Sequence, residues 1–193
     1  MKQTPRFYAK LILVIIGLTV LCSLFSFQEQ GCGVDRRAVK TLADTDANKI
    51  TFYAKRAEIA DMVKFKCPEK VSRTLPRFGN EFYVYQFNCT IREYRKEEDG
   101  DYHLVLQDAG DTTKTMVGEI VNPTCDDLKN NPHLQEYITV RADFEKCILP
   151  KNKVKSGYYK LKGVCFFDKV HGQLGAAKNG VELHPILSFT KFK

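Results

Sequence analysis

The chain has 193 residues and carries 30 lysines and arginines against 23 acidic residues, a formal net charge of +7. That length suits one domain with a real core plus a leader, and no internal repeat or low-complexity tract argues for an array or a disordered chain. Residues 151–193 hold nine lysines against only Asp168 and Glu182, so the basic excess sits at one end of a body that is otherwise slightly acidic.

Lys2, Arg6 and Lys10 precede LILVIIGLTVLCSLFSF (11–27), which has no charge, and polar QEQ follows. This pattern is expected to be a secretory signal peptide over 1–26, cleaved after Ser26, or an uncleaved signal anchor that keeps 11–27 in the membrane. Leu21 is too bulky for the position before a lipoprotein cysteine at Cys22. Either reading exports the rest of the chain, to the periplasm or beyond. The exported part keeps six cysteines, at 32, 67, 89, 125, 147 and 165, an even number compatible with disulfides in an oxidising compartment. Cys125 and Cys147 bracket one expected helix and form the candidate pair. Cys89 and Cys165, each inside an apolar strand, read equally well as buried thiols.

Residues 27–80 read as an N-terminal arm. Within it, residues 49–53 are strand-like, AKRAEIADMV (54–63) suits about two helical turns with Ile59, Met62 and Val63 on one side, and 68–80 is a Pro/Gly connector. Residues 81–193 read as the main domain. FYVYQFNCTIREY (82–94) places Tyr83, Tyr85, Phe87, Cys89 and Ile91 on one face at period two. EEDGD (97–101) is a turn, YHLVLQD (102–108) a strand with His103 and Gln107 on its outward face, and TMVGEIV (115–121) a third strand with Val117 and Glu119 outward. HLQEYITVRADFEKC (133–147) carries a helical stripe of Leu134, Tyr137, Ile138, Val140, Phe144 and Cys147. Strands at 156–168 and 181–193 follow, with Gly163 as a bulge or bend and Pro185 marking an edge or a strand start.

Three strands in two tight hairpins, one helix, then two strands joined by a long loop is the element order of the oligonucleotide/oligosaccharide-binding (OB) barrel. The expected fold class is therefore mainly β, an OB-like barrel of five strands with a helix between the third and fourth, plus the arm. An open α+β sheet is the alternative.

The pieces CGVDRRAVKT (32–41), EEDGDYHLVLQD (97–108) and FFDKVHGQLGAAKNGVELHP (166–185) together resemble a group of small, exported, largely uncharacterised bacterial proteins with comparable pieces in the same order. The resemblance spans 32–189. Arg37 departs from it, standing where a bulky aromatic is expected. It implies export and one compact β-rich unit; it brings no established activity and no catalytic residue.

In the barrel reading, the stretch 166–185 is the loop between the last two strands, beside the face where such barrels bind ligands. His171, Gln173, Asn179, Glu182 and His184 are the candidate ligand-binding residues. Asp168, His171, Glu182 and His184 offer two imidazoles and two carboxylates to a metal ion, although their spacing matches no recognised ligand motif. The preferred reading is structural, with these groups pinning the loop through hydrogen bonds. No cofactor is implied. Nucleic-acid binding is weakly supported: Lys151, Lys153, Lys155, Lys160 and Lys162 could follow a phosphate backbone, but the outward faces at 103–107 and 115–119 carry no aromatic platform or basic track. The function that follows is an exported, non-enzymatic binding or structural module with a peptide, glycan or envelope-protein partner. The alternatives are a small metal-assisted hydrolase acting on phosphodiesters and a nucleic-acid-binding OB domain. The membrane is involved only through the N-terminal segment.

Overall fold

The alternation of apolar residues along Tyr83–Lys96 builds the strand on which the rest of the fold closes. The structure, a computed structural model, describes residues 31–170 and 172–192. The expected leader and His171 lie outside the described residues. The elements in chain order are α1 (Arg37–Lys40), β1 (Thr51–Arg56), α2 (Ile59–Met62), β2 (Tyr83–Lys96), β3 (Tyr102–Asp108), β4 (Thr115–Ile120), α3 (Leu134–Glu145), β5 (Ile148–Leu149), β6 (Lys153–Val154), β7 (Tyr159–Phe167) and β8 (Val181–Lys191).

β2 serves two neighbours: residues 84–89 pair antiparallel with β7, and residues 89–96 pair antiparallel with β3 across a register shift near Arg92. β3 pairs antiparallel with β4, β4 runs parallel to β8, and β8 pairs antiparallel with β7. The order β2-β3-β4-β8-β7 therefore returns to β2 and closes a five-stranded mixed barrel, as the OB-like reading expects. Closure matters because it leaves none of these five strands with a free edge.

Side chains alternate between the two sides of the wall. Tyr85, Phe87, Cys89 and Ile91 of β2 point inward with Leu104 and Leu106 of β3, Met116 and Ile120 of β4, Leu161 of β7 and Leu183 and Phe189 of β8. Helix α3 caps this interior. Its Phe144 ring meets Tyr94, Tyr102 and Phe189 at centroid distances of 5.3, 5.1 and 5.5 Å. Of the expected helical stripe, Tyr137, Val140 and Phe144 are buried, whereas Ile138 is exposed. A second apolar layer lies outside the barrel, where Val84, Val121, Val164 and Leu187 pack with Leu42 and Ile50 of the arm and with Tyr137.

Three expectations change. Residues 54–56 stay extended in β1, because Lys55 and Arg56 pair parallel with Tyr85 and Gln86 of β2, and that ladder overrides a weak helical pattern. The helix shrinks to the single turn of α2, which buries Ile59 and Met62 and receives the Asp108 carboxylate on the Ala60 N–H at 2.9 Å. Pro185 is not at an edge: β8 lies between β4 and β7. The ladder shifts on both sides of Gly163, which faces the proline through a bulge, and a Cβ on Gly163 would lie 2.7 Å from the Pro185 carbonyl oxygen. The irregularity expected at Gly163 is there, but both shifts add the extra residue on β8 opposite it, which relieves Pro185 of donating to the ladder. Finally, Cys125 pairs with Cys32, at a Cα–Cα distance of 5.9 Å, and not with Cys147. Cys125 belongs to the outer apolar layer with Cys32, while Cys147 turns into the barrel interior as a buried thiol. Cys89 and Cys165 are buried thiols too, and burial raises the pKa of each.

The arm docks through one buried ion pair. Arg36, in the left-handed region at φ 50°, donates to Glu81 Oε1 at 2.8 Å and Oε2 at 2.6 Å. The same guanidinium donates to the carbonyls of Leu75 and Phe167, and stacks 4.6 Å from the Phe166 ring centroid. Glu81 accepts in turn from the Phe167 and Phe78 N–H groups, at 2.9 and 3.1 Å. Breaking a buried pair strands a charge, so Glu81→Gln is expected to cost about 3–5 kcal/mol in urea unfolding. A loss below ~1 kcal/mol would mean that the arm is held by its other ties, the Cys32–Cys125 disulfide, the β1–β2 ladder and its apolar contacts.

Candidate functional site: a buried carboxylate–imidazole cluster

Outward residues on adjacent strands converge on one patch of the barrel wall. His103 of β3 pairs directly across from Glu119 of β4, and Glu182 of β8 pairs with Val117 of β4, two residues before Glu119. His184 follows Glu182 at period two and so faces the same side. Asp101 precedes β3 by one residue and continues its outward face. These five polar side chains are 1–6% exposed, as buried as the apolar core.

Two segments cover them. From the arm come Lys40, 3.3 Å from Asp168, and Arg37, 3.8 Å from Asp101. From the other side, residues 172–180 of the loop after β7 fold over β3, and a Cβ on Gly175 would lie 2.6 Å from a Val105 methyl, so only glycine fits there. Between the covers remains a cavity of about 200 Å³, whose lining includes Glu97, Asp99, Asp101, Glu119, Gln173 and His184. A larger open groove of about 650 Å³ lies elsewhere, and another of about 560 Å³ adjoins the cavity through Asp35, Asp168 and Lys169. In the first, Asp108 accepts three backbone N–H groups; in the second, Asp35 forms an ion pair with Arg73 at 2.9 Å, although its Oδ1 makes no hydrogen bond.

Hydrogen bonding inside the cluster is incomplete. His103 Nε2 lies 3.0 Å from the Leu174 carbonyl, which can only accept, so that nitrogen carries a proton. His103 Nδ1 then faces two carboxylates, Glu119 Oε1 at 2.8 Å and Glu97 Oε1 at 3.5 Å. Glu119 Oε2 and both ring nitrogens of His184 are buried without a hydrogen-bond partner; His184 Nε2 stands 3.7 Å from Asp101 Oδ2. Asp101 is better held, its Oδ1 accepting the Asn122 N–H at 2.6 Å.

Electrostatics follow from this crowding. Desolvation, with Asp99 nearby, raises Asp101 to about 7 despite the Asn122 bond and the cations of Arg37 and Lys40. Desolvation raises Glu119 well above the ordinary carboxylate range, reinforced by Glu97 and Asp101, and it raises Glu182 likewise, reinforced by Asp168 and Glu119. His184 is pushed well below the usual imidazole value, by burial first and then by Lys40 and Arg37. Burial also works against the Lys40 ammonium, but Asp168, Glu182 and Glu119 outweigh it and leave its pKa raised. A desolvated, acid-rich patch of this kind favours a cation.

The structure brings together Asp168, Gln173, Glu182 and His184 of the loop candidates. It does not bring in Asn179, whose Nδ2 donates to the Met62 and Phe65 carbonyls and whose Oδ1 accepts the Val181 N–H, so this residue ties the loop to the end of α2. Asp101, His103 and Glu119 were not among the candidates. Their signal is the period-two run Asp99-x-Asp101-x-His103, which reads as a hairpin turn until β4 and β8 are laid beside it. Comparison of the chain with protein-family models, curated proteins and solved structures finds no match.

The raised Asp101 sets a pH test. An unfolded aspartate titrates near 4, so between about 4 and 7 the folded protein holds the extra proton and stability falls as pH rises. His184, with a depressed pKa, acts with the opposite sign below its unfolded value. Comparing wild type with Asp101→Asn isolates the carboxyl. Wild type is expected to lose up to about 1.4 kcal/mol per pH unit relative to the variant inside that window. Parallel pH profiles in urea unfolding would contradict the assignment.

Proposed function

We propose that the protein is an exported, non-enzymatic binding module of a bacterial cell envelope or extracellular space, whose barrel receives a small cationic group in the carboxylate–imidazole cavity. The observation that carries this reading is the incomplete hydrogen bonding of Glu119 and His184 beside a cavity lined by Glu97, Asp99 and Asp101. A polar cluster made only for structure satisfies its own donors and acceptors, as Arg36 and Glu81 do. An ion, or the charged end of a peptide or envelope-protein partner, meets the requirement.

Export is supported by the Cys32–Cys125 disulfide, which fits an oxidising compartment, and by the charge pattern of residues 2–27. Among the described residues no helix is long and apolar enough to cross a membrane. A nucleic-acid ligand is disfavoured, because the patch that would face phosphates is acidic and lies under the arm and the loop. The second reading is a small metal-assisted hydrolase, favoured by the convergence of His184 with Asp101 and Glu119 at one cavity.

The test is thermal unfolding of the full chain with divalent ions, polyamines and short lysine- or arginine-ended peptides. At least one class is expected to raise the melting temperature, by about 2.7 kcal/mol of added stability at a hundredfold excess over its Kd, and Glu119→Gln is expected to abolish the gain. No stabilisation by any cation would overturn the reading. Turnover of a phosphodiester in the presence of a stabilising metal would replace the module with the hydrolase.

A further inference from the structure

The cation pocket proposed above can be taken to a chemical class, and the inference rests on that reading. We propose that the cavity is a divalent transition-metal site in which His103 Nδ1, Glu119 and Glu97 are ligands, with His184 and Asp101 completing the set or holding a metal-bound water.

Geometry points to these three first. Among the described residues, His103, Glu119 and Glu97 each present one ligand atom, and the three atoms lie within 4.8 Å of one another. Ligands about 2.1 Å from a tetrahedral ion stand about 3.4 Å apart. The Nδ1 to Glu97 distance of 3.5 Å matches that value, and the 2.8 Å to Glu119, now at hydrogen-bond length, would have to open by about 0.6 Å to admit the ion.

The orientation of His103 follows the same logic. Its Nε2–H is committed to the Leu174 carbonyl, the outer hydrogen bond that fixes the tautomer of a metal-bound imidazole and aims the other nitrogen at the ion. In the neutral ring the Nδ1 lone pair points at carboxylate oxygens, a contact that needs something positive between them. A proton on the ring or on Glu119 satisfies that single contact. It leaves Glu119 Oε2 and both nitrogens of His184 unmatched, and these are buried at the same cavity. A cation with four or more coordination positions can take Glu119 and one nitrogen of His184 together with His103 Nδ1, and it leaves the other His184 nitrogen to a water.

Ligand type narrows the ion. Two imidazoles with carboxylates suit zinc and its first-row neighbours, whereas calcium and magnesium take all-oxygen sets. Lys40 lines the same cavity and is held by Asp168 at 3.3 Å, so a metal ion would sit beside its ammonium, on the His103 side of Glu119. Glu97 also accepts from Arg95 at 2.9 Å, which makes it the exchangeable ligand of the three.

The test is calorimetric titration of the chelator-treated full chain with zinc, manganese and calcium chlorides, with X-ray absorption at the zinc edge on the loaded protein. One equivalent of zinc is expected, with calcium silent and a nitrogen/oxygen first shell showing histidine scattering. Glu119→Gln and Glu97→Gln are each expected to weaken zinc at least ~10-fold. Glu97 is partly exposed, so its variant remains informative if Glu119→Gln does not fold. Absence of zinc binding would overturn the inference, and so would a sulfur first shell, which would move the ion to the thiols. If zinc fails while polyamines or basic peptides still stabilise the protein through Glu119, the cation pocket stands and only its metal identity falls. If both fail, both readings fall.

Discussion

The Arg36–Glu81 pair is the contact on which the arrangement depends. A guanidinium and a carboxylate removed from water cost several kcal/mol each, and they are tolerated only where every remaining lone pair and N–H is used. Here they are. Arg36 reaches the Leu75, Pro76 and Phe167 carbonyls, and Glu81 takes the Phe78 and Phe167 N–H groups. One bidentate contact thus joins the arm, the connector and the last residue of β7, from which the loop departs. Arg77 adds a second tie, donating to the Val39 and Glu81 carbonyls and to Asp44. With α1 held this way, Lys40 and Arg37 stand over the outer faces of β3, β4 and β8.

The same covers that secure the fold explain why the acidic cluster is so buried. An OB barrel ordinarily leaves this face to a ligand. Here the disulfide-tethered arm and the glycine-bearing loop close over it and leave a small cavity in place of an open groove. Covering carboxylates costs desolvation energy, visible in the raised Asp101, Glu119 and Glu182. A sequence selected for stability alone would place apolar residues at 103, 119 and 184, as it does one position away at Leu104, Ile120 and Leu183. Retaining five polar side chains at that cost, with some left unpaired, is the pattern of a site rather than of a core.

How much of this could be read beforehand varied by element. The strands 102–108 and 181–191 and the barrel topology follow from period-two alternation, from Asp99-Gly100 in the first hairpin and from one helical stripe before β7. Residues 54–56 did not follow, because only pairing with β2 keeps them extended. Cys125 looked toward Cys147 along the chain, but a residue's layer, inside or outside the barrel wall, is decided by packing and not by spacing. Glu182 and His184 were legible as a same-face pair. His103 and Glu119 were visible as outward residues, yet nothing local shows that they lie opposite each other, or that a loop seventy residues later covers them.

The central claim is that His103 and His184 line a cation site instead of a self-satisfied polar core. The most direct measurement is the chemical shift of the imidazole nitrogens of both residues by NMR, in the full chain before and after one equivalent of zinc. His103 is expected to keep its Nε2 proton while Nδ1 moves to a metal-bound shift, with His184 responding in the same titration. Rings that remain unchanged on adding zinc, with His103 doubly protonated against Glu119 throughout, would contradict it.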